Sequence, residues 1–447
     1  MVISPFYQKQ ALALRVLQIE SRDLRKKAMT AMPAAQSRLI EGELARVAAS
    51  GDPIIVGPWL TEPGIELMFW VPLLRWFVER FGIEPARIVA VSRGGVQGWY
   101  EGIATRYVDA FSIATLDELR GIQPEWYAKG KPVEIHQWDH DLIERVRTRL
   151  GLERAAWIHP AMLFNFSRLI YNAGPVGDRL LFKMTRHRRL THLPPPPELL
   201  ADLPHEFVAI RFYTQARRGA LWDNADTSRA IREFVRLLSE RIPVVDLDPG
   251  VRLKDHIQPQ WDFDYGPDAR VWRLFGRVPL EHNLGAQAWL ISRARAFAGT
   301  LGGLSSIAPV TGVPALTMTS LDGYPFLTPY RRYSLIAFRQ LGARYGISNP
   351  LHADLPRLVD AFVADISGGA PFPWPVGPGA RADGGTSHPD DASFALVRVP
   401  DERWAARKHG RLKLRVRIRA RNRRRVRSKR SQALEAREAE AGGAGQR

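Results

Sequence analysis

Gly299-Thr-Leu-Gly-Gly-Leu-Ser-Ser-Ile-Ala-Pro-Val-Thr-Gly-Val-Pro-Ala-Leu-Thr-Met-Thr-Ser320 decides the fold. It follows the apolar run Ala296-Phe297-Ala298, which reads as a short buried strand. The three glycines after it predict a tight turn that another group can approach closely. Ser305 and Ser306 have the chemistry of N-caps for a short helix ending near Gly312, with Pro314 just beyond. Val313 to Met318 then reads as the next strand. Strand, glycine turn and helix N-terminus together form an anion site, because unpaired N–H groups and the helix dipole converge there. A tight packing turn of an ordinary α/β domain is the alternative.

Outward from this stretch the same alternation continues. Leu284 to Arg293 is a helix leading into it, and Asp354 to Ile366 the last helix after it. Phe207 to Tyr213 and Ile242 to Leu247 read as strands, with Asn224 to Arg241 as the helix between them. Nearer the N-terminus, strands are expected at 52–60 and 87–91, with a helix over 65–81 whose apolar residues share one face. Both strands end in polar, glycine-bearing loops, Thr61-Glu-Pro-Gly-Ile-Glu66 and Ser92-Arg-Gly-Gly-Val-Gln-Gly-Trp-Tyr100, of the kind that bind ligands at the carboxyl edge of a parallel sheet. Further short elements are expected over 107–137, and helices at 141–150 and 157–171. The expected fold class is α/β, with two Rossmann-like domains facing a cleft.

The expected domains are an N-terminal helical extension (1–48), an N-terminal Rossmann-like acceptor domain (49–193), a linker (194–204) and a C-terminal Rossmann-like nucleotide-sugar domain (205–367). A Gly/Pro-rich linker (368–402) and a polybasic, disordered tail (403–447) follow. The 447 residues, 45% of them hydrophobic, suffice for two cores. With no cysteine, disulfides, iron–sulfur clusters and thiol nucleophiles are excluded. No secretion signal or membrane span is read, so a cytoplasmic protein is expected, attached peripherally to the inner membrane through its tail.

The net charge of +18 suggests nucleic acid until it is located. Residues 403–430 hold fifteen Lys or Arg and no acid, and 403–447 carry +14 of the total. The rest of the chain is nearly neutral. Alternating Leu412, Leu414, Val416 and Ile418 with basic residues suits an anionic membrane surface, where each basic residue contributes about 1 kcal/mol. RNA or an acidic protein would answer to the same charge.

Candidate chemistry falls in three groups. Arg211, Arg217 and Arg218, at or after a strand end, present guanidinium forks that suit phosphate, or are solvated surface charge. Glu62 and Glu66 flank a Pro-Gly turn, as helix-capping acids or as a general base for an acceptor hydroxyl; the sequence does not separate them. Ser92, Arg93, Gly94, Gly95, Trp99 and Tyr100 offer hydrogen bonds and aromatic faces to a sugar, although Trp99 and Tyr100 equally suit a core. His136, Asp139 and His140 have a metal-like spacing without a further ligand pattern, and Asp262, Asp264 and Asp268 read as a turn-rich loop. No metal site is expected.

Phe297-Ala-Gly-Thr-Leu-Gly-Gly-Leu-Ser-Ser-Ile-Ala-Pro-Val-Thr-Gly-Val-Pro-Ala-Leu316 resembles the C-domain signature of bacterial GT-B glycosyltransferases, notably heptosyltransferase-like ones. The match spans about twenty residues, and the two α/β halves match loosely over 50–365. The resemblance implies a nucleotide-sugar in the cleft, used as co-substrate with no other cofactor. Its diphosphate would meet Thr300, Gly302, Gly303, Ser305 and Ser306 with Arg211, Arg217 and Arg218. Glu62 or Glu66 would be the base, and the acceptor a saccharide or lipid-linked molecule of envelope polysaccharide assembly. Such enzymes usually carry an acid inside the Gly/Ser turn, where this chain has Leu301 and Gly302. A nucleotide-sugar epimerase of the same fold, or a nucleic-acid-binding protein acting through its tail, are the alternatives.

Overall fold

The computed structural model describes residue 6 and residues 22–119, 121, 134–164, 175–196, 202–212, 225–248, 271–319 and 329–374. The loop with Arg217 and Arg218, the aspartates 262, 264 and 268, and the tail 403–447 lie outside the described residues.

Ten strands form two wholly parallel sheets, both within one compact unit. The first holds β1 (Ile54–Val56), β2 (Ile88–Ser92), β3 (Arg106–Asp109) and β4 (Ala156–Ile158), in the order β3-β2-β1-β4. The second holds β5 (Val208–Arg211), β6 (Val244–Asp246), β7 (Val271–Arg273), β8 (Ala296–Thr300), β9 (Ala315–Met318) and β10 (Tyr345–Ser348). Its order, β10-β9-β8-β5-β6-β7, is the doubly wound 3-2-1-4-5-6 arrangement counted within that half. The first sheet follows the same plan through its fourth strand. Each sheet therefore has a switch point, between β1 and β4 and between β5 and β8.

The apolar runs become strands because helices cover both sheet faces, so alternation is unnecessary. Every residue of β1, β2, β5, β8, β9 and β10 is buried. The expected helix at 157–171 is corrected at its start. Ala156, Trp157 and Ile158 pair in register with Ile54, Ile55 and Val56, where Ile158 is fully buried. A helix there would leave one side of β1 without a ladder partner.

The helices are α1 (Arg22–Ala49), α2 (Pro63–Phe81), α3 (Gln137–Arg149), α4 (Pro175–Lys183), α5 (Ala225–Ser239), α6 (Asn283–Arg293), α7 (Ile307–Thr311), α8 (Pro329–Gln340) and α9 (Leu355–Ile366). α2 is not uniform. Glu66–Trp70 forms a π-turn, closed by Val71 N–H on the Glu66 carbonyl. α2 ends at Gly82, whose left-handed backbone caps the helix.

Residues 184–196 carry no regular structure, yet they are bonded to both halves. Arg186 N–H donates to Pro72 O (2.9 Å) and Leu190 N–H to Val310 O (2.8 Å). The Arg189 guanidinium donates to Leu341 O (2.8 Å). α8 crosses the same boundary: Arg332 grips Asp178 of α4 at 2.6 and 3.0 Å, and Tyr333 stacks on Phe69 and Phe182.

Candidate active site

The carboxyl edges of the two sheets touch, and glycines make the contact close. Gly285 N–H donates to Gly94 O at 2.6 Å, and a side chain at Gly285 would collide with Gly95 O. A Cβ on Gly95 would lie 2.8 Å from Glu281 O, and one on Gly94 2.9 Å from Leu284 Cβ. One strand along, a Cβ on Gly303 would lie 3.1 Å from the Gly64 nitrogen. The loops after β1 and β2 thus rest on the turns before α6 and α7.

Behind this contact lies a buried acid. Glu66 is 0% exposed, and its carboxylate accepts from Ser92 Oγ (2.6 Å), Tyr100 OH (2.7 Å) and Arg93 Nη1 (3.2 Å). Burial raises its pKa to about 7, against the pull of Arg93 and the hydroxyl donors. Burial and the neighbouring Glu66 carboxylate raise the Tyr100 phenol well above its usual value. Arg93 also donates to Thr61 O and Trp59 O. The Glu66–Arg93 pair therefore pins the loop that delivers Glu62. Glu62 is partly exposed, immediately before the Pro63-Gly64 pair that meets Gly303.

The glycine-rich stretch departs from its sequence reading in three respects. Gly299 and Thr300 belong to β8; Gly299 lacks a side chain because one would strike Arg211 O on the neighbouring strand. The turn begins at Leu301, with Gly302 and Gly303 partly exposed. Neither Ser305 nor Ser306 caps through its side chain. Ser305 Oγ instead donates to Gly302 O (2.8 Å), closing the turn on itself, while Ser306 Oγ is buried without a hydrogen-bond partner. Thr300 is 5% exposed at the switch point. Gly312 ends α7 in the left-handed conformation, as read.

Arg211 is buried at the end of β5 and held by Asp248 at 3.2 Å. Burial raises the neighbouring Asp246 carboxyl, with Arg211 opposing. Two acids around one guanidinium leave little net attraction for an anion at that spot. Sequence reading missed Asp246 and Asp248, although Asp248 follows directly on the apolar run 242–247.

Of the residues read as sugar contacts, Ser92 and Arg93 serve Glu66, and Gly94 and Gly95 serve the contact between sheet edges. Trp99 and Tyr100 are 0% and 1% exposed, so neither ring offers a face to a ligand. Open space lies beside them. A cavity of about 460 Å³ is lined by Gln97, Tyr107, Ser112, Arg149, Glu281 and His282, drawing on both halves. Ligand pockets typically span roughly 300–1,000 Å³. Asp109 at its wall accepts from Gly95 N (2.8 Å), Phe111 N (2.9 Å) and Tyr107 OH (3.0 Å), and burial raises its pKa. Residues 97–112 form part of this lining in one continuous stretch, but Arg149, Glu281 and His282 arrive only through the fold.

His136 and Asp139 make a reciprocal capping box at the start of α3, and His159 lies 3.5 Å from buried Asp139. Among the described residues, no three His, Asp or Glu side chains gather as a metal site.

No family model matches the chain, and no curated protein matches its sequence. The GT-B resemblance read from the sequence recurs among solved structures. One is a glycosyl transferase family 9 protein of Veillonella parvula: 12% identity, 66% of this chain, 86% of that one, TM-score 0.37. Another is TibC of enterotoxigenic E. coli, a dodecameric iron-containing heptosyltransferase solved with ADP-D-β-D-heptose: 12% identity, 63% of this chain, 60% of that one, TM-score 0.33. A third is the UDP-GlcNAc 2-epimerase of Methanocaldococcus jannaschii: 13% identity, 69% and 98%, TM-score 0.28. At such values these likenesses assign neither family nor activity to this chain.

Proposed function

We propose that the chain is a glycosyltransferase, moving a sugar from a nucleotide-sugar to a saccharide or lipid-linked acceptor of envelope polysaccharide assembly, without a resident metal. The observation that carries this reading is the meeting of two doubly wound carboxyl edges, with the Glu62 loop against the Gly302–Gly303 turn. The donor diphosphate is assigned to that turn, with Arg217 and Arg218 supplying positive charge, and stabilisation of the leaving group would come from backbone N–H groups. Glu62 is the candidate base because it is partly exposed beside the turn, whereas Glu66 is sealed. Glu66 and Arg93 hold Glu62 in place, and the acceptor occupies the cavity at Gln97, Arg149 and Glu281. The basic tail, on this reading, keeps the enzyme at the anionic cytoplasmic face of the membrane.

A thermal-shift screen with nucleotides and nucleotide-sugars tests the assignment. One nucleotide class should stabilise the wild type, Arg217→Ala should lose that shift, and Glu62→Gln should keep it while losing transfer. No shift across the panel would remove the proposal. An isomerised donor without acceptor consumption would mark an epimerase, and activity lost on chelation would remove the metal-free reading. Deleting 403–447 should abolish binding to anionic vesicles; undiminished binding would refute the membrane role.

A further inference from the structure

α2 contains a proline where it can least be ignored. Pro72 has no amide hydrogen, so the carbonyl of Met68, four residues earlier, lacks its helical donor. Met68 is fully buried, so solvent does not serve that carbonyl. His187, from the segment bonded to both halves, places Nε2 3.0 Å from Met68 O.

The surrounding hydrogen bonds define which atom donates. Thr185 Oγ1 donates to Leu181 O at 2.8 Å, so the Tyr333 hydroxyl, 2.9 Å from Thr185 Oγ1, donates to it. His187 Nε2–H is then left for Met68 O, with the Tyr333 oxygen at a longer 3.5 Å. Burial lowers the His187 pKa to about 4, with nearby Arg75 adding to the effect, so the ring is neutral at ordinary pH. Arg186 N–H takes Pro72 O, and Arg75 Nη1 returns to Arg186 O at 3.3 Å. The segment thus holds both carbonyls, Met68 and Pro72, that flank the irregular turn.

We propose that His187 is a positioning residue: by serving the carbonyl that Pro72 orphans, it holds the π-turn that keeps Glu66 directed at Ser92, Arg93 and Tyr100. This deepens the proposed function, resting on the reading of Glu66 as the anchor of the Glu62 loop. A helix of regular pitch over Glu66–Trp70 would rotate Glu66 by one residue's step relative to the rest of α2. The groups facing Glu66 are Arg93 and Tyr100, with Tyr107 beyond; those facing His187 are Arg75 and Tyr333.

The test follows the Glu66 carboxyl by ¹³C NMR of side-chain-labelled glutamate in the full chain, assigned by its absence in Glu66→Gln. His187→Phe keeps a ring and removes the donor. Pro72→Ala restores a backbone N–H for Met68 O. Expected is a midpoint shift of about one unit or more, or failure to fold, in His187→Phe. In the Pro72→Ala background the same substitution should leave fold and midpoint unchanged. An unshifted midpoint in folded His187→Phe, or equal damage in both backgrounds, would overturn the proposal by reducing His187 to packing. No nucleotide-sugar enters this titration, so its failure and failure of the glycosyltransferase reading are read separately.

Discussion

Replacing Glu66 by glutamine tests which force governs the buried acid. The folded carboxyl has its pKa raised from 4.5 to about 7, chiefly by burial. Arg93 opposes this through one nitrogen only, Nη1 at 3.2 Å, and that same nitrogen also faces Trp59 O, while Nη2 serves Thr61 O. A single shared contact does not offset removing a carboxylate from water, which costs several kcal/mol in real proteins. Because the folded pKa lies above the unfolded one, the stabilising contribution belongs to the protonated acid. It is fully present below about pH 4.5, is lost as pH rises to about 7, and is constant above. At about 1.4 kcal/mol per pKa unit the loss is on the order of 3 kcal/mol. Glutamine is neutral throughout and has no such dependence. Urea denaturation midpoints of wild type and Glu66→Gln, differenced at each pH, cancel the other titrating groups. The wild type should lose about 3 kcal/mol relative to the variant between about pH 4.5 and pH 8. A flat difference, or a wild type that gains with pH, would mean that Arg93 holds the acid ionised, and the burial argument would fail.

Three further outcomes follow from the packing. Gly285→Ala should cost about 1–3 kcal/mol in denaturant unfolding because the methyl meets Gly95 O, whereas Gly42→Ala on α1, with open space around it, should be neutral or stabilising. Arg332→Met should cost roughly 3–5 kcal/mol by stranding Asp178, whose side chain is 4% exposed, and adding Asp178→Asn should recover part of that loss in the same assay. Ser305→Ala removes the hydroxyl that closes the turn on Gly302 O; calorimetry should show about 1 kcal/mol of lost stability, and titration a weaker nucleotide affinity.

How much of the fold was legible depends on how each strand is buried. β1, β2, β5, β8 and β9 were readable because both faces are covered, so each is a short apolar run between turn residues. β4 was misread because Trp157 and Ile158 lead into more apolar residues, and a continuous apolar run does not distinguish strand from helix. β7 and β10 were missed for different reasons. Val271–Arg273 is a three-residue edge strand with an exposed end, and Tyr345-Gly-Ile-Ser348 mixes Gly and Ser into a strand whose burial only the tertiary fold supplies. The π-turn had one sequence signal, Pro72 inside an apolar helix, but proline near a helix start is ordinary. Only His187, far along the chain, shows how the freed carbonyl is satisfied.

The site was legible as residue types and illegible as roles, and glycine shows why. Gly94, Gly95, Gly285 and Gly303 each lack a side chain for a reason in the opposite half, where backbone or Leu284 Cβ would meet one. Spacing along the chain reports local turns, so Gly302–Gly303 and Gly94–Gly95 both read as ligand loops. Their shared property is that they let two carboxyl edges approach, and sequence separation hides it. The same approach decides between the two glutamates that spacing left equal. With Gly303 against Gly64, the residue before the Pro63-Gly64 pair lies at the meeting edges, while the residue after it turns inward through the π-turn to Arg93. Glu62 and Glu66 thus divide one task, the first exposed toward the cleft and the second holding the loop that carries it. A bulky residue at Gly303 should therefore impair Glu62 function and nucleotide binding together, while leaving the Glu66 titration in place.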